Sequence, residues 1–370
     1  VGIRPQGRIL LLVLAAGLLA LTAAACGDSN SSSDTTASTG GGSASLSGEI
    51  AGAGSTAQQA AQEAWIAGFQ EANSGVSIAY DPVGSGGGRE QFVAGGTAYG
   101  GSDAALADEE LTGAQTQCGG PDNLVEIPNY VSPIAVIYNL PDVASLKLDP
   151  DTLAKIFAQK ITKWNDPAIA ATNSGVSLPD TNITPVNRSD ESGTTENFTD
   201  YLSQAAPSVW TFEVSGDWPV KGGEAAEGTS GVVDAVTNGE GTIGYADASQ
   251  AGSLGVAEVM VGSDFVGPTA EAAAKIFDES EPSGDPGANV FTYKLNRTPD
   301  ASDTYPIVLV SYLMGCTTYD DANTAAIVKA YFNYMISAEG QQVAAGAAGS
   351  APLSDSVRAK IQPAVDAIGG

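Results

Sequence analysis

The sequence predicts an α/β protein of two domains. Three observations lead there: a repeated strand, loop, helix order, a chain too long for one core, and small polar loops placed where strands hand over to helices. With 370 residues the chain exceeds the length at which a single core usually keeps growing, and 43% hydrophobic residues are enough to fill two. The alternation starts at Gly48. Residues 49–51 form a short strand that enters Gly52-Ala53-Gly54-Ser55-Thr56, after which Ala60, Ala61, Ala64, Trp65, Gly68 and Phe69 mark one helical face. Residues 76–80 give a second strand, ending in the glycine run 84–88 before a helix over 89–93. Tyr99-Gly100-Gly101-Ser102-Asp103-Ala104-Ala105-Leu106 follows, then a long apolar strand over 131–138.

In the middle of the chain, residues 153–157 read as a helix and Trp164-Asn165-Asp166-Pro167 as a turn. A strand over 183–186 runs into Arg188, and Ser192 stands where a helix N-cap belongs, with Phe198, Tyr201 and Leu202 as the buried stripe behind it. Residues 241–245 make another short strand and 306–313 a strongly apolar one. Residues 324–336 and 337–345 are helical, and no repeat of fixed period is present.

Charge narrows the partners. Fifteen Lys and Arg against 43 Asp and Glu give a net charge of -28, which excludes nucleic acid as an expected partner. Such a surface also repels small anions, so an anion site would have to be local, built from fixed dipoles and a few placed charges. The chain has no histidine, so Ser-His-Asp catalysis and the common zinc sites are excluded. Neither a catalytic set, a metal site nor a cofactor is expected.

The first 25 residues have the parts of an export signal: Arg4 and Arg8, an apolar run over 9–21, then Thr22-Ala23-Ala24-Ala25-Cys26. Small residues directly before a lone cysteine resemble the bacterial lipoprotein box, which implies a lipid anchor on Cys26. Ala23 departs from the usual Leu, and cleavage after Ala25 in an ordinary secreted protein is the other reading. Residues 26–47 are rich in Ser, Thr, Gly, Asp and Ala and are expected to be a flexible linker. At about 5–6 Å times the square root of its length, such a linker places the folded body roughly 25 Å from its anchor. If Cys26 is lipidated, Cys118 and Cys316 remain as an even pair in an oxidising compartment, and one disulfide is expected, with two buried thiols as the alternative.

Three loops carry the functional reading: Gly54-Ser55-Thr56, Gly84-Ser85-Gly86-Gly87 and Arg188-Ser189-Asp190-Glu191-Ser192-Gly193-Thr194. Each opens onto a helix, where unpaired backbone N–H groups and the positive dipole end attract anions, and hydroxyls add donors without bulk. Singly they are weak in a chain with 45 glycines. Gly52-x-Gly54-x-x-Ala57, with Asp81 closing the next strand, even matches a relaxed dinucleotide fingerprint. A P-loop is excluded, because Arg89-Glu90 stands where the Lys-Ser/Thr pair would be.

In combination and in this order, Gly-Ala-Gly-Ser-Thr, Gly-Ser-Gly-Gly, Ser-Asp-Ala and Arg-x-Asp-x-Ser-Gly-Thr resemble the substrate-binding proteins of bacterial phosphate ABC transporters. Residues 158–169, Asn173-Ser174-Gly175 and 241–245 are similar to stretches of that family, and the likeness is weakest over 252–303. The resemblance implies a two-lobed periplasmic-binding-protein-like fold of type II. Each lobe would be a mixed sheet flanked by helices, with lobe I at 48–137 plus 306–370, lobe II at 138–305, and two hinge crossovers. It implies phosphate ligands at Thr56, Ala57, Ser85, Asp103, Arg188, Ser192, Gly193 and Thr194. Ala57 stands where many members have Phe and would contribute its backbone N–H, while Arg188 would contribute a forked contact to two oxygens.

Asp103 selects. A carboxylate beside an anion repels it unless the anion shares a proton, as phosphate does and sulfate does not; the other reading is that Asp103 caps the following turn or helix. The resemblance further implies a monomeric, extracytoplasmic, membrane-anchored protein that captures phosphate without catalysis and passes it to a permease driven by a cytoplasmic ATPase. An exported phosphoesterase using the same cleft is the second reading, and a dinucleotide-binding enzyme the third.

Overall fold

The computed structural model describes residues 46–283 and 287–370, so the expected signal segment 1–25, Cys26 and nearly all of the linker lie outside the described residues. Its strands are β1 Ser47–Gly54, β2 Gly75–Asp81, β3 Tyr99–Ser102, β4 Leu124–Tyr138, β5 Leu146–Leu148, β6 Thr184–Arg188, β7 Glu224–Ala226, β8 Thr242–Asp247, β9 Gly255–Val261, β10 Asp264–Val266, β11 Glu281–Pro282, β12 Tyr293–Lys294 and β13 Val308–Cys316. The helices are α1 Gln59–Ala72, α2 Ser85–Val93, α3 Asp108–Gln117, α4 Pro150–Phe157, α5 Pro167–Thr172, α6 Gly193–Ala205, α7 Gly228–Asn238, α8 Ala270–Ala274, α9 Ala322–Ile336, α10 Ala338–Ala348 and α11 Asp355–Asp366. The class is the mixed α/β fold expected.

One continuous hydrogen-bonded path runs β2-β1-β3-β13-β4-β8-β6-β7. At one end β1 lies parallel to β2 and β3, while β13 is antiparallel to β3 and β4. Toward the other end β4 is antiparallel to β8, and β6 runs parallel to both β8 and β7.

The join is β4, buried along its whole length. Its residues up to Pro133 pair with β13, and from Ile134 to Tyr138 they pair with β8. Proline has no N–H to give a ladder, so it is tolerated where pairing is interrupted. Pro133 sits at the change of partner, and Pro128 beside a register shift at Ser311/Tyr312.

Helix ends follow their local chemistry. Asp149 accepts from the Thr152 N–H ahead of Pro150, and Asp166 from the Ala168 N–H ahead of Pro167. Ser192 caps α6 as the sequence predicts, accepting from the Thr195 N–H. Two boundaries correct the reading. The linker gives way to β1 at Ser47, and α2 begins at Ser85 rather than Arg89. Gly86, Gly87 and Gly88 favour neither helix nor strand by propensity; at Gly88 other backbone packs where a side chain would stand, while Gly86 faces the Glu191 carboxylate. A Cβ on Gly88 would lie 2.3 Å from the Gly54 Cα.

Cys118 and Cys316 are disulfide-bonded across 198 residues of sequence, packed with Phe92, Leu124 and Met314. The crosslink ties the end of α3 to the end of β13. From loop length alone, the bond should restrict the unfolded chain by about 5 kcal/mol. Urea titrations of the native protein and of Cys118→Ser/Cys316→Ser should therefore differ in unfolding free energy by up to that amount; coincident curves would show that the bond contributes nothing.

Candidate functional site

The three loops converge at the ends of β1, β3 and β6. β1 delivers Ser55 and Thr56 into the turn before α1, and Ser55 donates its hydroxyl to Asp103 Oδ2. The Ser55 oxygen in turn accepts from the N–H groups of Ala57, at 3.0 Å, and Gln58, at 3.3 Å. The Ala57 N–H, expected to face a ligand, is thus engaged within its own turn. Thr56 exchanges a hydroxyl hydrogen bond with Thr229 at 2.8 Å and accepts from the Thr229 N–H at the start of α7.

Asp103 follows β3 and is buried. Its Oδ2 takes Ser55 and, at 3.5 Å, Thr194; its Oδ1 takes the Ser311 hydroxyl at 2.9 Å. It caps no turn. Burial pushes its carboxyl above the usual range, while the Ser55 and Ser311 hydroxyls, the Arg188 charge and Thr194 pull the other way. Ser85, the first residue of α2, accepts from the Asp103 N–H at 3.1 Å.

Opposite stand Arg188 and the start of α6. The Arg188 fork, expected to hold two ligand oxygens, instead holds Asp190 through Nε, at 2.8 Å, and Nη2. Burial raises the Asp190 pKa, but the Arg188 hydrogen bonds and charge and the Gly228 N–H outweigh it and hold the carboxyl below its usual range. Tyr245 on β8 fixes this wall: its hydroxyl accepts from the Arg188 N–H and shares a 2.8 Å bond with Thr195, while its ring stacks on Phe198 at 4.5 Å.

The two walls touch. A Cβ on Gly193 would stand 2.7 Å from Ser85 Oγ and 3.0 Å from the Ala104 nitrogen, and one on Gly86 would overlap the Glu191 carboxylate. Gly193 lets the start of α6 meet Ser85 and the backbone of Asp103 and Ala104, and Gly86 leaves room for the Glu191 side chain. Arg89 of α2 reaches across to Glu191 while also holding Glu110 and Ser102. Behind Asp103 lies a cavity of about 240 Å³ lined by Glu196, Asn197, Asp200, Arg297 and others.

Every expected ligand position except the exact role of its donors is therefore brought together: Thr56, Ala57, Ser85 and Asp103 on one wall, Arg188, Ser192, Gly193 and Thr194 on the other. Sequence reasoning missed Ser311, Thr229, Tyr245 and Asn197 as members of the cluster. Only Tyr245 carried a signal, as the end of the Gly-Thr-Ile-Gly-Tyr stretch. The dinucleotide fingerprint has another explanation: Cβ atoms on Gly52 and Gly54 would collide with the Tyr99 ring and the Gly101 backbone, so these glycines serve sheet packing.

A family model described as "PBP superfamily domain" matches residues 33–339, and the chain belongs to that superfamily. Within it, the chain is a member of the family of PstS proteins. It is 37% identical over 319 residues to "Phosphate-binding protein PstS 3" of Mycobacterium tuberculosis, covering 85% of each chain. It is 35% identical over 326 residues to "Phosphate-binding protein PstS 2" of the same species, covering 86% of this chain and 87% of the relative. Among solved structures, a high affinity periplasmic phosphate-binding protein (PfluDING) bound with phosphate shares the fold with a TM-score of 0.70 at 24% identity, over 85% of this chain and 93% of that one. The phosphate-binding protein of Stenotrophomonas maltophilia does so with a TM-score of 0.68 at 21% identity, over 86% and 94%.

Glu126 supports the Asp103 loop from behind. Its Oε1 accepts from the Leu106 N–H at 2.8 Å, and burial pushes its carboxyl up to about 8, with Leu106 and Arg89 opposing and Glu110 adding to the shift. A carboxyl whose folded pKa lies above its unfolded value keeps a proton that unfolding releases, so it costs stability as pH rises from about 4.5 to about 8. Glu126→Gln removes that dependence. Its advantage over the native protein in chemical denaturation should grow between pH 5 and pH 9 by on the order of 3 kcal/mol. Parallel curves across this range would assign the dependence to other groups.

Proposed function

We propose that this protein captures inorganic phosphate outside the cytoplasmic membrane and delivers it to an ABC permease coupled to a cytoplasmic ATPase. The observation that carries the reading is the meeting of Asp103 with Ser85, Gly193 and Thr194, segments 18 to 91 residues apart in sequence. Membership of the PstS family supports it, as does the phosphate-bound structural neighbour. In the proposed site, Arg188 and the start of α6 supply positive potential, hydroxyls and N–H groups supply hydrogen bonds, and Asp103 accepts the proton that phosphate retains. The donors now engaged between Ser55 and Ala57, Thr56 and Thr229, and Arg188 and Asp190 would share or exchange those bonds with the ion.

The lobes of this proposal are 48–137 plus 306–370 and 138–305, hinged at β4 and at the approach to β13. Closure around the ion follows from ligands on both walls. The body is monomeric and tethered through Cys26 by the linker, and its role is capture without catalysis.

Calorimetry on the purified protein, stripped of bound anion, should give phosphate binding in the micromolar range or tighter and no competition from equimolar sulfate. Equal heats for the two anions would refute the reading. Asp103→Asn should bind phosphate about 10-fold or more weakly and discriminate less against sulfate; retained selectivity would make Asp103 structural. Steady hydrolysis of a chromogenic phosphate ester, lost in Asp103→Asn, would replace capture by esterase chemistry.

A further inference from the structure

The cavity behind Asp103 is lined in part by a side chain that belongs to none of the expected ligand positions. Asn197, one turn into α6, donates from Nδ2 to two carbonyls at once: that of Asp103 at 2.6 Å and that of Gly193 at 2.8 Å. One amide group therefore spans both walls of the site. Its remaining atom, Oδ1, accepts from Arg297 Nη2 at 2.6 Å. Only one orientation of the amide satisfies these partners, because a flipped Asn197 would set its oxygen against two carbonyls and its NH₂ against a guanidinium.

Arg297 is engaged through all three of its nitrogens. Nε pairs with Asp200 at 2.7 Å, and Nη1 donates to the carbonyls of Val308 at 2.8 Å and Pro306 at 3.2 Å, where the chain enters β13. It is buried, as is Asn197. The guanidinium thus fixes three things together: the amide of Asn197, the outer face of α6 through Asp200, and the strand entry at which the second hinge is proposed. Arg297 lies in the stretch least like the family, which is why the sequence offered no reason to single it out.

We infer that Asn197, oriented by Arg297, is a positioning residue that sets the closed spacing between the Asp103 loop and the start of α6. The inference rests on the phosphate reading for its consequence, since that spacing decides how long a bound ion stays. It does not rest on it for its geometry. Asn197 touches no ligand in this scheme; it acts by holding the backbone on either side of Asp103 and Gly193. A residue of that kind stabilises the closed state and leaves the encounter alone, so its loss should appear in release rather than in association.

The test uses Asn197→Asp, which keeps size and the Arg297 partner but sets a carboxylate oxygen against two carbonyls. Arg297→Lys is the second variant; it keeps charge for Asp200 but lacks the fork that reaches Asn197 and the strand carbonyls. Release of radiolabelled phosphate into excess cold phosphate should be about 10- to 100-fold faster in either variant, with association within about threefold of the native rate. Amide hydrogen exchange without phosphate should speed up together at residues 103–106 and 193–198 in both variants while the β1 and β13 cores hold. Folded variants that release phosphate at the native rate, or exchange these two segments as the native protein does, would overturn the inference. A native protein that takes up no phosphate would sink the phosphate reading alone, and the exchange comparison would still decide the role of Asn197.

Discussion

A buried carboxylate must find its hydrogen bonds inside the protein, and much of this fold is arranged around that demand at Asp103. An isolated buried charge costs far more than any single contact returns, so the partners must come from wherever the chain can supply them. Here they come from the β1 turn, the middle of β13 and the start of α6. Satisfying one side chain thereby fixes three segments that are remote in sequence. The same requirement explains the small residues around it: hydroxyls donate without bulk, and Gly193 lets the α6 backbone approach Ser85 and Ala104 at distances that a Cβ forbids.

An acidic chain with this site has to manage like charge at short range, and it does so by grouping its few buried cations. Arg188 is committed to Asp190, Arg297 to Asp200, and Arg89 to Glu110 and Glu191. Other buried carboxyls are shifted toward their neutral form. Burial lifts Glu196 to about 7, with Glu191, Glu110 and Asp200 adding to the shift and Arg89 opposing it, and burial lifts Asp247 to about 6 against the hydroxyls of Ser132 and Ser249. The surface charge of -28 is therefore a poor guide to potential at the site. What an anion would meet is set by Arg188, the helix start and the local protonation of neighbours.

Much of this was legible in the chain itself. The alternation of strands and helices, the Ser192 cap and the apolar stripe of Phe198, Tyr201 and Leu202 are local properties, written in residues a few positions apart. The clustering of Thr56, Ser85, Asp103 and Ser192 to Thr194 followed from a family pattern. What stayed hidden is non-local. Ser311 lies inside an apolar strand and reaches Asp103 only because β13 sits beside β3. Thr229 opens a helix that no strong periodicity announced, and Arg297 stands in a segment of little regular structure. The start of α2 was missed for the same reason: glycine propensity argues against a helix, and the backbone packing that permits it comes from β1.

Engagement of the donors among themselves is the feature that most shapes how such a site would work. Ala57, Thr56 and Arg188 each have a protein partner where the walls meet. Orphaned buried donors would cost roughly 1–3 kcal/mol each and would hold the walls apart. Internal pairing lowers that penalty where the walls meet. In the proposed site an incoming anion would displace or share these bonds, and one that offers equal acceptors plus a proton for Asp103 would repay the exchange. Selectivity on this view arises less from the donors, which any oxyanion could use, than from the carboxylate that already has three hydroxyl partners and tolerates a fourth contact only if it arrives as a donor.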